Sequence, residues 1–366
     1  IVAGIGGVSE SDTVRLCLDP NIHSGWPQEI GPLETCYLFY PLNIIPFTDQ
    51  TSLGILTSYN NSLDETKILL FRHDGTIAKG WPKVLPLLTS SNTNPATGDL
   101  DGTGEYRIVT TGSRESKGDI YILDLMGTLR EEYRTDSGAF SGIALGDLDG
   151  NKENLEMVYQ SYCSIEGRFP NFDFIPGSWP VPIGSSNTYS RPPAIGDLDG
   201  DSYNEIIHLA DLYSKDSALI TSLHVLKGDG EPKEGFEKLI EIKICPYWIN
   251  PQPVLGDIDG NGTLEILIAT GYDLKIWRDN GELFPLEFPI KGNPDMEHPE
   301  ESNFLSSPIL GDISGNGIPE IIVPLFSWAT GDACIYVVSW NRDKSKWETL
   351  PNWPQRVPWV GNLWDA

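Results

Sequence analysis

Five short segments of this chain carry oxygen-bearing side chains at alternating positions, and the third shows the pattern most fully. Asp197, Asp199 and Asp201 stand at every second residue, followed by the carbonyl of Tyr203 and the carboxylate of Glu205. Alternate residues of a tight loop turn the same way, so the segment aims one oxygen after another at a common point. A hard cation such as calcium takes about six to eight oxygens, and Gly200 permits the bend. The fourth segment offers Asp257, Asp259, Asn261, the carbonyl of Thr263 and Glu265, and the fifth offers Asp312, Ser314, Asn316, the carbonyl of Ile318 and Glu320. The second keeps Asp147, Asp149 and Asn151, but one extra residue delays its last carboxylate to Glu156, a shift that a β-bulge is expected to absorb. The first offers Asp99, Asp101 and Thr103, with Arg107 where the last carboxylate stands elsewhere, which predicts a weak or empty site. The set implies about three to five calcium ions. Acidic turns that merely solvate hairpins would explain one such segment; three with the same spacing favour the cation.

The elements that position these residues follow from the repeat itself. The phrases GDLDGTGEYRIV, GDLDGNKENLEMV, GDLDGDSYNEIIHL, GDIDGNGTLEILI and GDISGNGIPEIIV begin with aspartates 48, 50, 60 and 55 residues apart, a period suited to a four-stranded propeller blade. Before each phrase comes a short apolar stretch with small residues, such as Pro193-Ala194-Ile195, read as a crowded innermost strand. After it comes a continuous apolar run, such as Ile266-Leu267-Ile268, read as a strand buried on both faces. Third strands are expected at 67–71, 119–124, 219–226 and 333–340, with hairpin turns at Asp74-Gly75, Asp229-Gly230 and Asn280-Gly281. Outer edge strands are expected to begin near Gly25-Trp26-Pro27, Gly80-Trp81-Pro82, Gly235-Phe236 and Trp353-Pro354, where proline suits an edge.

Two further third-and-fourth-strand units precede Gly98, at 13–27 and 67–82, giving seven blades. The expected fold is all-β: a single seven-bladed β-propeller domain over 1–366. Its blades run over 358–366 with 1–34, 35–90, 91–138, 139–188, 189–247, 248–303 and 304–357. Pro358-Trp359-Val360-Gly361-Asn362-Leu363 repeats the inner-strand pattern, and Ile1-Val2-Ala3-Gly4 would supply its missing neighbour, so the ring is expected to close by pairing the two ends. Six or eight blades, or a solenoid, are the structural alternatives; solenoid repeats are usually shorter. EF-hand and dockerin loops share the aspartate logic but have helical flanks, whereas β-branched residues follow directly here.

On these phrases the chain resembles the FG-GAP or VCBS repeats that build the integrin α-chain propeller and many secreted microbial proteins. The resemblance covers nearly the whole chain, lacking the aspartate loop in the first two blades. It implies a ring of seven blades, with calcium in the loop joining the first two strands of a blade. It also implies a ligand on the opposite face, where segments 162–182, 211–217, 246–250 and 326–332 are expected. There Tyr213, Tyr247, Trp248, Phe326 and Trp328 are candidates to stack on a sugar or a protein, against the plainer reading that such aromatics pack.

Composition narrows the rest. A net charge of −27 would repel a nucleic-acid backbone, so no nucleic-acid partner is expected. No apolar run reaches membrane-spanning length, and no membrane insertion is expected. The first residue is Ile1, so a leader peptide is expected to have been removed or never included. Cys17, Cys36, Cys163, Cys245 and Cys334 form no zinc or redox spacing; Cys17 with Cys36 is a possible disulfide if the compartment is oxidising, and Cys334 is expected to pack. His23, His73, His208, His224 and His298 form no metal-catalytic pattern, no nucleophile elbow is present, and Gly4-Ile5-Gly6-Gly7 lacks a complete dinucleotide fingerprint. Carboxylates held by a cation make poor general acids. The expected function is therefore a secreted or cell-surface module for recognition or adhesion, not an enzyme, binding a glycan or extracellular protein, alone or within a larger multidomain or assembled surface protein. The alternatives are the propeller of a secreted polysaccharide lyase or protease, and a structural subunit of a cell-surface assembly.

Overall fold

The computed structural model describes residues 43–46, 53–60, 66–85, 95–114, 117–135, 142–161, 163–183, 191–213, 219–238, 240–244, 252–285, 287–292, 303–327 and 333–357. Among them there is no helix; twenty-five strands form six antiparallel sheets. Two compact units are present, one up to Ile143 and one from Ala144 onward. The expected blade at 358–366 with 1–34, the pairing of the chain ends and Cys17–Cys36 all lie outside the described residues.

The first unit contains two sheets of four strands in sequential order. One runs through β1 (Asn43–Pro46), β2 (Leu53–Asn60), β3 (Thr66–Arg72) and β4 (Lys83–Leu85); the other through β5 (Ala96–Asp99), β6 (Tyr106–Arg114), β7 (Lys117–Asp124) and β8 (Leu129–Arg134). Ile45, Leu56, Ile68 and Leu70 of one sheet share a core with Ile108, Tyr121 and Leu123 of the other. Burying such aliphatic side chains contributes about 1.5–3 kcal/mol each.

The second unit contains four sheets. The first two repeat the four-stranded meander: β9 (Ala144–Gly146), β10 (Glu156–Gln160), β11 (Ser164–Arg168) and β12 (Val181–Pro182), then β13 (Ala194–Gly196), β14 (Glu205–Tyr213), β15 (Leu219–Leu226) and β16 (Ile240–Ile242). The next has three strands, β17 (Val254–Gly256), β18 (Glu265–Ala269) and β19 (Leu274–Trp277). The last is split lengthwise: β20 (Asn303–Leu305) and β21 (Ile309–Gly311) pair with opposite halves of β22 (Glu320–Ser327). Likewise β24 (Lys346–Thr349) and β25 (Gln355–Val357) pair with opposite halves of β23 (Ala333–Asn341). Segment 162–182, expected among the loops of the opposite face, instead contains the whole of β11 and β12. Within these two strands Ile165 and Val181 are the aliphatic residues, too few for a strand pattern to be visible, and cross-strand pairing decides the matter.

Three of the glycines that open a phrase are explained by neighbours rather than by turns. A Cβ on Gly146 would meet Ile195 at 2.5 Å, one on Gly196 would meet Leu255 at 3.0 Å, and one on Gly256 would meet Leu310 at 2.3 Å. In these three pairs the apolar residue of the next first strand packs onto the bare backbone of the glycine that opens a phrase. At the outer strands the Gly-Trp-Pro motif ties one sheet to the next. The Trp81 indole N–H donates to the Leu125 carbonyl at 2.9 Å, while Gly80 lies against the Met126 carbonyl. Sequence reading overlooked a second example: the Trp179 indole donates to the Gly228 carbonyl at 3.1 Å, and Gly177 lies against the Asp229 carbonyl. The hairpins at Gly75, Gly230 and Gly281 are three-residue loops with that glycine at positive φ, as the Asp-Gly and Asn-Gly pairs predict.

Candidate metal centre

Every phrase places its last functional residue by the same strand register. Gly196 pairs with Glu205, Gly256 with Glu265 and Gly311 with Glu320, so each glutamate begins a second strand directly opposite the glycine that opens the phrase. One oxygen of each glutamate then accepts a backbone N–H inside the loop: Leu198 to Glu205 at 2.9 Å, Ile258 to Glu265 at 3.0 Å and Ile313 to Glu320 at 2.7 Å. Between the first two aspartates the apolar residue turns inward, and Leu198 and Ile258 are buried. This alternation turns Asp197 and Asp199, or Asp257 and Asp259, toward the glutamate.

Three clusters result, Asp147 with Asp149 and Glu156, Asp197 with Asp199 and Glu205, and Asp257 with Asp259 and Glu265. In each, one carboxylate oxygen from every residue lies within 4.8 Å of the others, and each cluster could hold a metal ion. The first aspartate also shapes its loop: Asp257 accepts from the amides of Asn261 and Gly262, both at 2.9 Å, and Asp312 from Asn316 and Gly317 at the same distances. Asp197 accepts from Gly200, Asp201 and Ser202. The amides of Tyr203, Thr263 and Ile318 donate to Asp201, Asn261 and Asn316 at 2.8, 2.7 and 2.7 Å, which sets these residues at the turn out of the loop. The fifth loop has the same backbone geometry with only two carboxylates, Asp312 and Glu320, beside Ser314 and Asn316.

In the second loop no strand bulge is needed. Glu156 pairs with Gly146 in an unbroken register and accepts the Leu148 amide at 2.7 Å; the extra residue is absorbed in the turn closed by the Asn154 amide on the Asn151 carbonyl. The insertion leaves Asp147 Oδ1 buried without a partner. In the first loop, Arg107 stands opposite Gly98 in the place of the glutamate, and its guanidinium reaches Glu105 at 3.0 Å and Asp101 at 3.9 Å. Thr103 donates to Asp101 through its hydroxyl at 2.6 Å, and this bond is the main cause of the lowered Asp101 pKa; Thr103 and Gly104 donate their amides to Asp99.

Electrostatics separate the loops further. Burial, reinforced by Asp149 and Asp147, pushes Glu156 up to about 7; burial with Asp259 and Asp257 does the same for Glu265. Glu265 is fully buried and its Oε1 has no hydrogen-bond partner. Arg278 reaches only Asp259 there, at 3.2 Å. In the third loop Lys233, which sequence reading missed, places its ammonium on Asp199 and 3.4 Å from Glu205. Burial opposes the charge on Lys233, yet its bond to Asp199 and the charge of Glu205 outweigh that and raise its pKa; the same bond lowers Asp199. Nothing in the local pattern pointed to Lys233, which lies 28 residues beyond Glu205 and arrives from the hairpin after β15.

The candidate ligand residues are less gathered. Tyr213 ends β14 and Phe326 lies half-buried in β22, while Tyr247, Trp248 and Trp328 lie outside the described residues. The far half of β14 instead carries buried polar pairs. The Arg191 guanidinium donates to Asp211 at 2.8 Å, the Thr221 hydroxyl donates to the same oxygen at 2.6 Å, and His208 meets Gln160 at 2.8 Å. Burial drives His208 and His224 well below the ordinary histidine range, so both are neutral structural groups at pH 7. Cys163 and Cys334 are free thiols, Cys334 half-buried in β23.

No protein-family model matches the chain, and no curated protein matches it. Among solved structures, BBS1N in its complex with ARL6DN is similar with a TM-score of 0.51 at 13% identity, over 91% of this chain and 89% of that one. The V. cholerae biofilm matrix protein Bap1 gives 0.45 at 11% identity, over 91% of this chain; this chain spans 61% of it. The SapL1 lectin in complex with alpha methyl fucoside gives 0.38 at 14% identity, over 87% of this chain and 98% of that one. At such identities the likeness to BBS1N speaks for the fold alone, an all-β, propeller-like set of four-stranded antiparallel sheets. No helix among the described residues is long and apolar enough to cross a membrane.

Proposed function

We propose that this chain is a non-catalytic recognition or adhesion module of the FG-GAP or VCBS type, stiffened by calcium and working outside the cytoplasm on a glycan or an extracellular protein. The observation that carries the calcium reading is Glu265. Its carboxylate is fully buried beside Asp257 and Asp259, and one of its oxygens has no hydrogen-bond partner among the described residues. An ionised group so placed is costly unless a cation joins it. The donors are all oxygens, which suits calcium rather than zinc or copper.

Asp257, Asp259, Asn261, the carbonyl of Thr263 and Glu265 would hold one ion. Asp147, Asp149, Asn151 and Glu156 would hold another, and Asp312, Ser314, Asn316, the carbonyl of Ile318 and Glu320 a third. Bound calcium supplies charge neutralisation and pins each loop; it performs no chemistry on a ligand. Recognition would then fall to the other ends of the strands, where Tyr213 and Phe326 stand.

The test is a glycan array probed with the intact chain in calcium and again in chelator. Binding that requires calcium supports a lectin-like module, and a blank array with capture by a defined extracellular protein supports adhesion. Turnover of a polysaccharide, or concentration-dependent self-assembly without any ligand, would replace this reading with the lyase or the structural one.

A further inference from the structure

The third loop has the fullest aspartate ladder in the sequence, and it differs from the second and fourth in the side chain that meets its glutamate. The glutamates of the second, third and fourth loops each use Oε2 to accept a loop amide. Their Oε1 atoms diverge. In the second loop the atom takes the Asn154 side-chain amide at 3.1 Å; in the fourth it takes nothing; in the third it faces the Lys233 ammonium, which also binds Asp199. Lys233 thus stands between two of the three carboxylates that a metal would need.

Its position in the fold makes this a replacement rather than a surface ion pair. The Lys233 amide donates to the Val225 carbonyl, as Ala78 does to Leu70, Ile175 to Gly167 and Phe284 to Ile276. Ala78, Ile175 and Phe284 are buried apolar residues of their cores. Lys233 is buried as well, at 6% exposure. A lysine at a core position is unfavourable unless its ammonium is paired, and here the acidic loop pairs it.

We propose that the Lys233 ammonium closes the third loop in place of a metal ion, so that this loop takes no calcium while the second and fourth do. This rests on the calcium reading of those sibling loops. The third loop is then held together at any calcium concentration, and replacing Lys233 by an apolar residue of the kind its siblings carry creates a metal site.

Bound calcium is counted by equilibrium dialysis of the full chain against calcium chloride, for wild type and K233M. One more ion in K233M, lost again in the double variant K233M/D199N, is the expected result. Equal, non-zero counts in wild type and K233M would overturn the proposal alone. No calcium in either protein would overturn it together with the reading of the sibling loops. Because K233M could fail to fold, E205Q in the otherwise unchanged chain gives an independent count: no ion is expected to be lost, whereas E265Q is expected to lose one. Loss of an ion in E205Q contradicts the proposal.

Discussion

Glu265→Gln separates a metal ligand from a structural hydrogen-bond acceptor, because its expected effect changes sign with calcium. Glutamine keeps the size of the side chain and an oxygen for the Ile258 amide, now 3.0 Å away. In chelator at pH 8 the wild-type carboxylate is ionised, buried and beside Asp257 and Asp259. Its rise to about 7 from the ordinary 4.5 corresponds to about 3 kcal/mol of unfavourable free energy in that state. The variant without that charge is therefore expected to be more stable than wild type in chelator, by up to about 3 kcal/mol. With calcium at a hundredfold its Kd, each site adds about 2.7 kcal/mol to the wild type. The variant loses most of that, and the order of stabilities reverses. Urea unfolding in EGTA and in calcium chloride measures both differences. A variant less stable than wild type by the same amount in both buffers would refute the reasoning, since Glu265 would then act only as an acceptor for the Ile258 amide.

Other outcomes follow from the same geometry. Glu156 and Glu265 titrate near 7 when folded and near 4.5 ordinarily, so the folded state holds their protons more tightly. The stability they contribute is full below about 4.5 and lost as pH rises through 7. Urea midpoints in EGTA should fall between pH 5 and 8, and the gain from added calcium should widen over that window; a gain independent of pH contradicts this. Arg107→Glu restores a carboxylate opposite Gly98 and removes the guanidinium from Asp101 and Glu105. It should add one bound calcium ion, which native mass spectrometry would count. Gly177→Ala should destabilise by 2 kcal/mol or more, on the order expected for strain at a special backbone position. Its φ is 137° and its Cβ would lie 2.1 Å from the Asp229 carbonyl; a thermal melt unchanged within about 0.5 kcal/mol would show that the contact is not tight.

The loops were legible in the sequence because chelation by alternate residues is local. Asp257, Asp259 and Glu265 are fixed relative to one another by a tight turn and one strand register, and both leave a mark in spacing. The strands were legible where an apolar run is buried on both faces, as in β18 (Glu265–Ala269), all of whose residues are buried. They were not legible in β11 and β12, whose two or three apolar positions acquire meaning only from pairing. Nor did spacing reveal how the extra residue before Glu156 is accommodated, since a turn and a bulge lengthen the sequence equally.

The inventory is already present in the amino-acid order: five acidic phrases at a blade-like period, each with glycines and with an apolar strand on either side. Arg107 was already visible as the odd member, because it sits inside its phrase. Which distant groups enter each loop emerges only once the chain is folded. Lys233 reaches Asp199 across 34 residues, and the Gly228 carbonyl receives the Trp179 indole across 49. Gly146, Gly196 and Gly256, three of the opening glycines, are required by Ile195, Leu255 and Leu310 of neighbouring strands. A cation site is completed by charge at a few ångströms, and proximity at that scale is set by how strands pair within a sheet and how sheets stack, which no single segment encodes.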